Sequence, residues 1–190
     1  MPPLERTALR ACRGRVLDVG AGAGPHALWL QARGLGVTAL DTSGGAVAAM
    51  RQRGVRDVQH GSIEALGGDT YDTLLLLMNG AGLAGTLNAL PRLLGHLRTL
   101  LRPGGQILLD SSDVRYLYVE EDGALSIDLN DRYHGEMVYQ MHYGGESSSP
   151  FPWLFVDHDL LSDAALRAGL RTELVTEGAH YDYLSRLTVS

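Results

Sequence analysis

Gly20, Gly22 and Gly24 alternate with alanine directly behind the apolar run RVLDV, in the stretch RVLDVGAGAGPHALWL at 15–30. Asp18 stands two residues before the first of these glycines, and Asp41 stands 21 residues after it. Absent side chains at alternating positions let a ligand touch the main chain, and a helix N-terminus behind such a loop favours negative charge. A tight turn with close helix packing has the same composition, so the flanking residues decide what the loop is worth. A carboxylate at Asp18, inside a strand end, repels a pyrophosphate and welcomes an ammonium group. Asp41 closes the next apolar run, at the height where a carboxylate accepts hydrogen bonds from both hydroxyls of a ribose; a helix cap or turn is its other reading. The dinucleotide fingerprint wants glycines at relative positions one, three and six, whereas these fall at one, three and five, with Pro25 in the sixth place.

A second group of reactive side chains lies beyond Ser111. Eight of the twelve aromatic residues fall between 116 and 155, a concentration that suits a small apolar or aromatic molecule better than a polymer. His134 and His142 sit among them and, with Tyr139, are the candidates for handling a proton near neutral pH. The alternation of Tyr139 and Tyr143 with Met137 and Met141 reads equally well as the two faces of a half-buried hairpin. Cys12 is the only cysteine, which excludes an internal disulfide and a cysteine-based metal site; no metal is expected, and Cys12 itself reads as a small buried hydrophobe. His26, just inside the helix after the glycine loop, could approach the carboxylate of a bound cofactor, but reads first as an exposed helix residue.

The elements that must carry these groups follow a regular alternation. RVLDV (15–19) is a strand covered on both faces, and HALWLQAR (26–33) is a helix opened by Pro25 and stopped by Gly34 and Gly36. GVTAL, VQH, YDTLLLLMN and QILLD continue the strands. SGGAVAAMRQR, with Ser43 as cap, and GTLNALPRLLGHLRTLL continue the helices, the second kinked or broken at Pro91. Five strands joined this way imply right-handed crossovers and a parallel sheet with helices on both faces. The rhythm breaks at 111–159, where ALSID (124–128) is expected to pair with GEMVYQMHY (135–143), and FPWLFVD (151–157) adds a third extended piece. A helix, DLLSDAALRAGL, and two strands, TELVTEG and YDYLSRLTVS, complete seven strands in all.

In this order the motifs resemble those of class I S-adenosylmethionine-dependent methyltransferases. VLDVGAGAG is similar to their first motif, ALD at 39–41 to their ribose-binding acidic position, YDTLLLLMNG to their fourth strand, and LLRPGGQILLD to the turn and fifth strand. The resemblance implies a Rossmann-like α/β fold with a seven-stranded, mostly parallel sheet whose last strand is antiparallel, and a small antiparallel β insertion after strand 5. It implies S-adenosylmethionine as cofactor, with Asp18, Gly20, Ala21, Gly22 and Gly24 at its amino-acid end and Asp41 and Thr42 at its ribose. Ser62 and Ile63 of GSIEAL would lie at the adenine, although many members carry aspartate where Ser62 stands; Asn79 and Gly80 would border the sulfonium. NGAG lacks the Pro-Pro-Tyr of many amino-methylases acting on DNA bases or glutamine. DSSDVRYLY, GEMVYQMHY and PFPWLFVD also resemble an uncharacterised bacterial branch that brings no substrate with it.

The composition agrees with this reading. At 190 residues and 45% hydrophobic content the chain is expected to be one domain, with 111–159 as a cover for the acceptor. A net charge of −6 argues against nucleic acid as partner, and Arg51, Arg53 and Arg56 read as a solvated helix end. No signal-length or membrane-length apolar run occurs, so a cytoplasmic protein is expected. About fourteen residues precede the first strand, too few for the helix that family members fold over the cofactor; the insertion or a second copy in a homodimer is expected to close the site. The expected activity is methyl transfer to oxygen or nitrogen of a small apolar or aromatic acceptor. The alternatives are a cofactor-binding or regulatory module without turnover and a nicotinamide or nucleotide-sugar enzyme of related topology.

Overall fold

The computed structural model describes residues 1–120, 122, 124–127 and 132–190. Helix α1 (Pro3–Ala11) opens the chain and buries Leu4, Ala8 and Leu9, one face at helical spacing. Strand β1 (Arg15–Val19) is buried from Val16 onward because helices cover both sides of it. Gly24 turns the chain with φ 76° into α2 (Pro25–Ala32), where Pro25 occupies a position whose N–H would have no partner in the helix. Then come β2 (Gly36–Asp41), α3 (Gly44–Gln52), capped by the Ser43 hydroxyl accepting from the Ala46 N–H at 3.3 Å, and β3 (Asp57–His60). β4 (Tyr71–Leu76), α4 (Leu90–Thr99) and β5 (Leu101–Ser112) complete the alternation.

The insertion holds β6 (Glu136–Tyr139), the two-residue strands β7 (His142–Tyr143) and β8 (Glu146–Ser147), and β9 (Phe151–Leu154). Helix α5 (His158–Arg167), β10 (Leu170–Glu177) and β11 (Asp182–Val189) end the chain. The seven-stranded sheet runs β10-β11-β5-β4-β1-β2-β3, and β11 alone is antiparallel to its neighbours. α4 and α5 bury Leu94, Leu97 and Leu161 against one face, while α1, α2 and α3 bury Leu9, Leu30 and Met50 against the other. This is the Rossmann-like arrangement expected, and it brings the carboxyl ends of β4, β1, β2 and β3 side by side.

Of the two alternatives at Pro91 the structure shows the break: 87–89 form a separate 3-10 turn, and Pro91 stands in the first turn of α4, where its missing N–H costs nothing. Two local expectations change. The partner of the strand at 136–139 is β9, with Glu136 opposite Leu154 and Tyr139 opposite Phe151. Leu125, in the segment expected to take that role, instead bridges Val119; Asp128 of the same segment lies outside the described residues. The stretch 135–143 is two strands, since β7 turns away to pair with β8. β9 docks the insertion onto the 3-10 turn Gly80–Ala84: a Cβ on Gly82 would fall inside the Trp153 indole, so only glycine lets the ring lie there.

Candidate active site

The glycine loop leaves β1 held to β2, with the N–H groups of Gly20 and Ala21 both donating to the Leu40 carbonyl at 2.9 and 3.0 Å. The Gly22 N–H donates to Asp41 Oδ2 at 2.8 Å, and Asp41 Oδ1 accepts from the Ser43 N–H at 2.8 Å. Asp41 is therefore both the turn residue and the carboxylate at the strand end, since each oxygen keeps capacity for a further donor. Arg53, at the end of α3, donates to the Ala23 carbonyl at 2.7 Å and braces the loop, so this arginine is more than a solvated face.

The three glycines have two different reasons to exist. All have positive φ (69°, 56° and 76°), but among the described residues, chain neighbours aside, no atom stands within 4 Å of where a Cβ on Gly20 or Gly22 would be. A Cβ on Gly24 would stand 2.8 Å from Val55 Cγ2 and 3.0 Å from Met50 Cγ. Close helix packing explains Gly24, while Gly20 and Gly22 present bare backbone to open space.

Asp18 gives that space its chemistry. Its side chain is 2% exposed; it takes the Ala27 N–H, and its Oδ2 has no hydrogen-bond partner among the described residues. Burial pushes its carboxyl up to about 6, partly offset by His26 and the Ala27 N–H. A buried carboxylate with an unused oxygen beside bare glycines fits an ammonium group such as the one on the methionine end of S-adenosylmethionine. His26 is not the exposed residue expected: it is 6% exposed, and its Nε2 lies 3.1 Å from Glu5 Oε2 on α1. A helix thus does precede β1 and reaches this end of the site.

The remaining cofactor candidates follow along the same edge. Thr42 is exposed, and its carbonyl accepts from His60 Nε2 at 3.0 Å. Ser62 precedes a 3-10 turn without capping it, and Ile63 is buried with its carbonyl accepting from His96 Nε2 at 2.7 Å. Asn79 and Gly80 form a clamped turn beyond β4. Asn79 Nδ2 donates to the Leu154 carbonyl at 3.0 Å, and Asp110 accepts the N–H groups of Met78 and Gly80 at 3.1 and 2.9 Å. The side chain of Asn79 is thereby committed to the wall. Burial raises the Asp110 carboxyl to about 6 despite these donors.

The catalytic candidates are not together. His142 is exposed on the β7–β8 hairpin, with Nδ1 2.7 Å from Ser147 Oγ, and Tyr139 is 42% exposed against Phe151 and Phe155. His134 packs against Tyr133 and Tyr118, its Nε2 is buried with no partner among the described residues, and burial lowers its pKa against the pull of Asp113 and Asp157. Those two aspartates line a cleft of about 540 Å³ where the end of β5, the start of α5 and the β10–β11 turn meet. Cys12 is no nucleophile: burial, then Asp18, pushes its thiol up to about 12, and Sγ donates to the Ala8 carbonyl. Among the described residues no group of three His, Cys, Asp or Glu side chains could hold a metal ion, and no helix is long and apolar enough to cross a membrane.

Sequence reasoning missed Glu5, Asp110 and Ser111. The only signal for the latter two was the polar run DSS at the end of a buried strand.

Comparison with known proteins bears directly on this site. A family described as a methyltransferase domain matches residues 3–174. A solved S-adenosylmethionine-dependent methyltransferase from Bacteroides fragilis, in complex with S-adenosyl-L-homocysteine, is similar at 46% identity; the match covers 100% of this chain and 78% of that one, with a TM-score of 0.93. Two further structures share the fold. The CcbJ methyltransferase from Streptomyces caelestis does so at 16% identity over 100% and 90% of the two chains, with a TM-score of 0.72. CalS10, an amino pentose methyltransferase from Micromonospora echinaspora with the cofactor bound, does so at 18% identity over 98% and 87%, with a TM-score of 0.64. No curated protein matches the sequence. With the glycine loop, the open oxygen of Asp18 and the strand-end carboxylate of Asp41 in place, the chain belongs to the class I S-adenosylmethionine-dependent methyltransferases.

Proposed function

We propose that this methyltransferase acts on oxygen or nitrogen of a small acceptor of apolar or aromatic character, received at the carboxyl edge of the sheet beside the insertion. S-adenosylmethionine, when bound, supplies an electrophilic methyl group on sulfur. The protein's part is to place the acceptor in line, exclude water and take up a proton. The observation that carries the reading is the cleft of about 540 Å³ in which Leu174, Tyr181 and Tyr183 offer apolar and aromatic surface within a lining otherwise mainly acidic. It opens beyond β5, β11 and β10; β5, the nearest of these strands to β1, is two strands from it, about 10 Å at the usual strand spacing. Tyr181 stacks on Tyr116 with ring centroids 5.1 Å apart, a surface for a flat or apolar group.

His134, which does not itself line the cleft but packs on Tyr133, whose hydroxyl donates to Asp157 of the lining at 3.1 Å, is the base in this reading. Its lowered pKa keeps the imidazole neutral near pH 7, and its buried, unpartnered Nε2 can accept a proton. Of the two acceptor atoms the lining favours nitrogen, because the five carboxylates of Asp113, Asp157, Asp159, Glu177 and Asp182 outnumber the one guanidinium, Arg115. An assay of S-adenosylhomocysteine release with small aromatic amines and phenols tests this. Amines are expected to turn over, and His134→Gln is expected to lower kcat by about 10²- to 10⁴-fold with cofactor affinity unchanged. Turnover confined to polymeric acceptors, or an unaffected His134→Gln, would overturn it.

A further inference from the structure

We propose that Glu5 is a positioning residue for the cofactor: from helix α1 it holds the imidazole of His26, and with Asp18 the pair forms the receptor for the amino-acid end of S-adenosylmethionine. The inference rests on the cofactor site alone and is independent of which acceptor is methylated.

Three elements bring these groups together. Leu4, Ala8 and Leu9 seat α1 in the core layer that also holds Leu30 of α2 and Val16 of β1. Seated there, α1 presents Glu5 to His26, with Oε2 and Nε2 3.1 Å apart and side-chain exposures of 16% and 8%. His26 is the second residue of α2, directly behind the glycine loop, and its chain neighbour Ala27 donates its N–H to Asp18. The line Glu5, His26, Asp18 thus runs from α1 across the first turn of α2 to the end of β1.

The chemistry of the line selects a ligand. Asp18 is almost fully buried with Oδ2 unused, so it is incomplete until a donor arrives, and a cationic donor also offsets the cost of keeping the carboxylate ionised. Beside it stand an imidazole and the first turn of an eight-residue helix, both suited to an anion. A group that carries an ammonium and a carboxylate on one carbon satisfies both halves. Glu5 enters through His26: a carboxylate 3.1 Å from Nε2 fixes the orientation of the buried ring, and without it that nitrogen loses the partner the structure gives it. Glu5 also lies close enough to act on Asp110, so the carboxylates of Glu5, Asp18 and Asp110 leave this end of the site with an excess of negative charge that suits a cofactor of net positive charge.

Calorimetric titration with S-adenosylhomocysteine and with 5′-methylthioadenosine isolates the effect, since the second ligand keeps the nucleoside and lacks the amino-acid end. Glu5→Gln is expected to raise Kd for S-adenosylhomocysteine about tenfold, the loss of one charge-assisted hydrogen bond, and to leave 5′-methylthioadenosine unchanged. His26→Asn, too short to reach Glu5, is expected to give the same selective loss. Leu4→Ala loosens α1 without removing the pair and is expected to move both ligands alike. Thermal unfolding followed in parallel is expected to remain cooperative in each variant. Equal loss for the two ligands in Glu5→Gln and His26→Asn, or no loss for either, would overturn the proposal. Failure of the wild-type protein to bind either ligand would overturn the cofactor site and this role with it.

Discussion

The hydroxyl of Ser111 donates to the side-chain oxygen of Asn79 at 2.8 Å and accepts the backbone N–H of Val156 at 3.0 Å. One buried oxygen atom thereby ties the tip of β4 to the segment that leaves the insertion. The tip needs holding: Met78 and Asn79 both adopt left-handed backbone, φ 65° and 62°, a conformation that costs each residue roughly 1–2 kcal/mol. Asp110 holds the same turn from β5 through two N–H groups. The border expected for the sulfonium is thus a strained loop fixed by β5 and by the insertion together.

Ser111→Ala is expected to destabilise the protein by about 1–3 kcal/mol, because the Val156 N–H and the Asn79 oxygen each lose a buried partner. Chemical denaturation with an unchanged m-value checks this, and a loss below about 0.5 kcal/mol would mean that the clamp does not depend on the hydroxyl.

Asp18 sets stability against binding. Its folded pKa, about 6, lies above the ordinary carboxyl value of 3.8, so the folded state holds the proton more tightly than the unfolded state does. That contribution is complete below the ordinary value and is lost as pH rises through about 6. Asp18→Asn is therefore expected to raise the melting temperature of the cofactor-free protein at about pH 7.5 more than at about pH 5, and to weaken S-adenosylhomocysteine binding. Melting curves and titrations of the two proteins at both pH values test the pair of effects.

Gly22→Ala and Gly24→Ala are expected to separate binding from packing. At Gly24 the new methyl group meets Met50 and Val55 at positive φ, for a loss of roughly 2–5 kcal/mol. At Gly22 it meets no protein atom, so only the backbone cost of about 1–2 kcal/mol applies, but the methyl group enters the space left for the cofactor. Denaturation and cofactor titration of both variants are expected to rank them in opposite orders.

Much of this site was legible in the sequence because its signals are local. The glycines, Asp18, Asp41 and the apolar strands before them lie within 27 positions, 15–41, and the strand–turn–helix period dictates where they fall. What was not legible depends on contacts distant in sequence. His26 is buried only because α1, 21 residues earlier, folds over it; its own neighbours Pro25 and Ala27 give no hint of that. The insertion misled for the same reason: alternation marks β6 as a strand, but period-2 patterning does not choose between 124–128 and 151–154 as partner, whereas the docking of Trp153 on Gly82 does. His142 and His134 looked equivalent in the sequence, yet His142 is exposed with Nδ1 against Ser147 while His134 is packed between Tyr118 and Tyr133 with Nε2 buried.

The most direct measurement is calorimetric titration of the wild-type protein and of Asp41→Ala with S-adenosylmethionine, with NAD as comparator. Expected is micromolar binding of S-adenosylmethionine, weakened about 10- to 100-fold in Asp41→Ala through loss of a charged hydrogen-bond acceptor, and no heat with NAD. Binding of NAD in place of S-adenosylmethionine, or an Asp41→Ala protein indistinguishable from wild type, would contradict the assignment of the site.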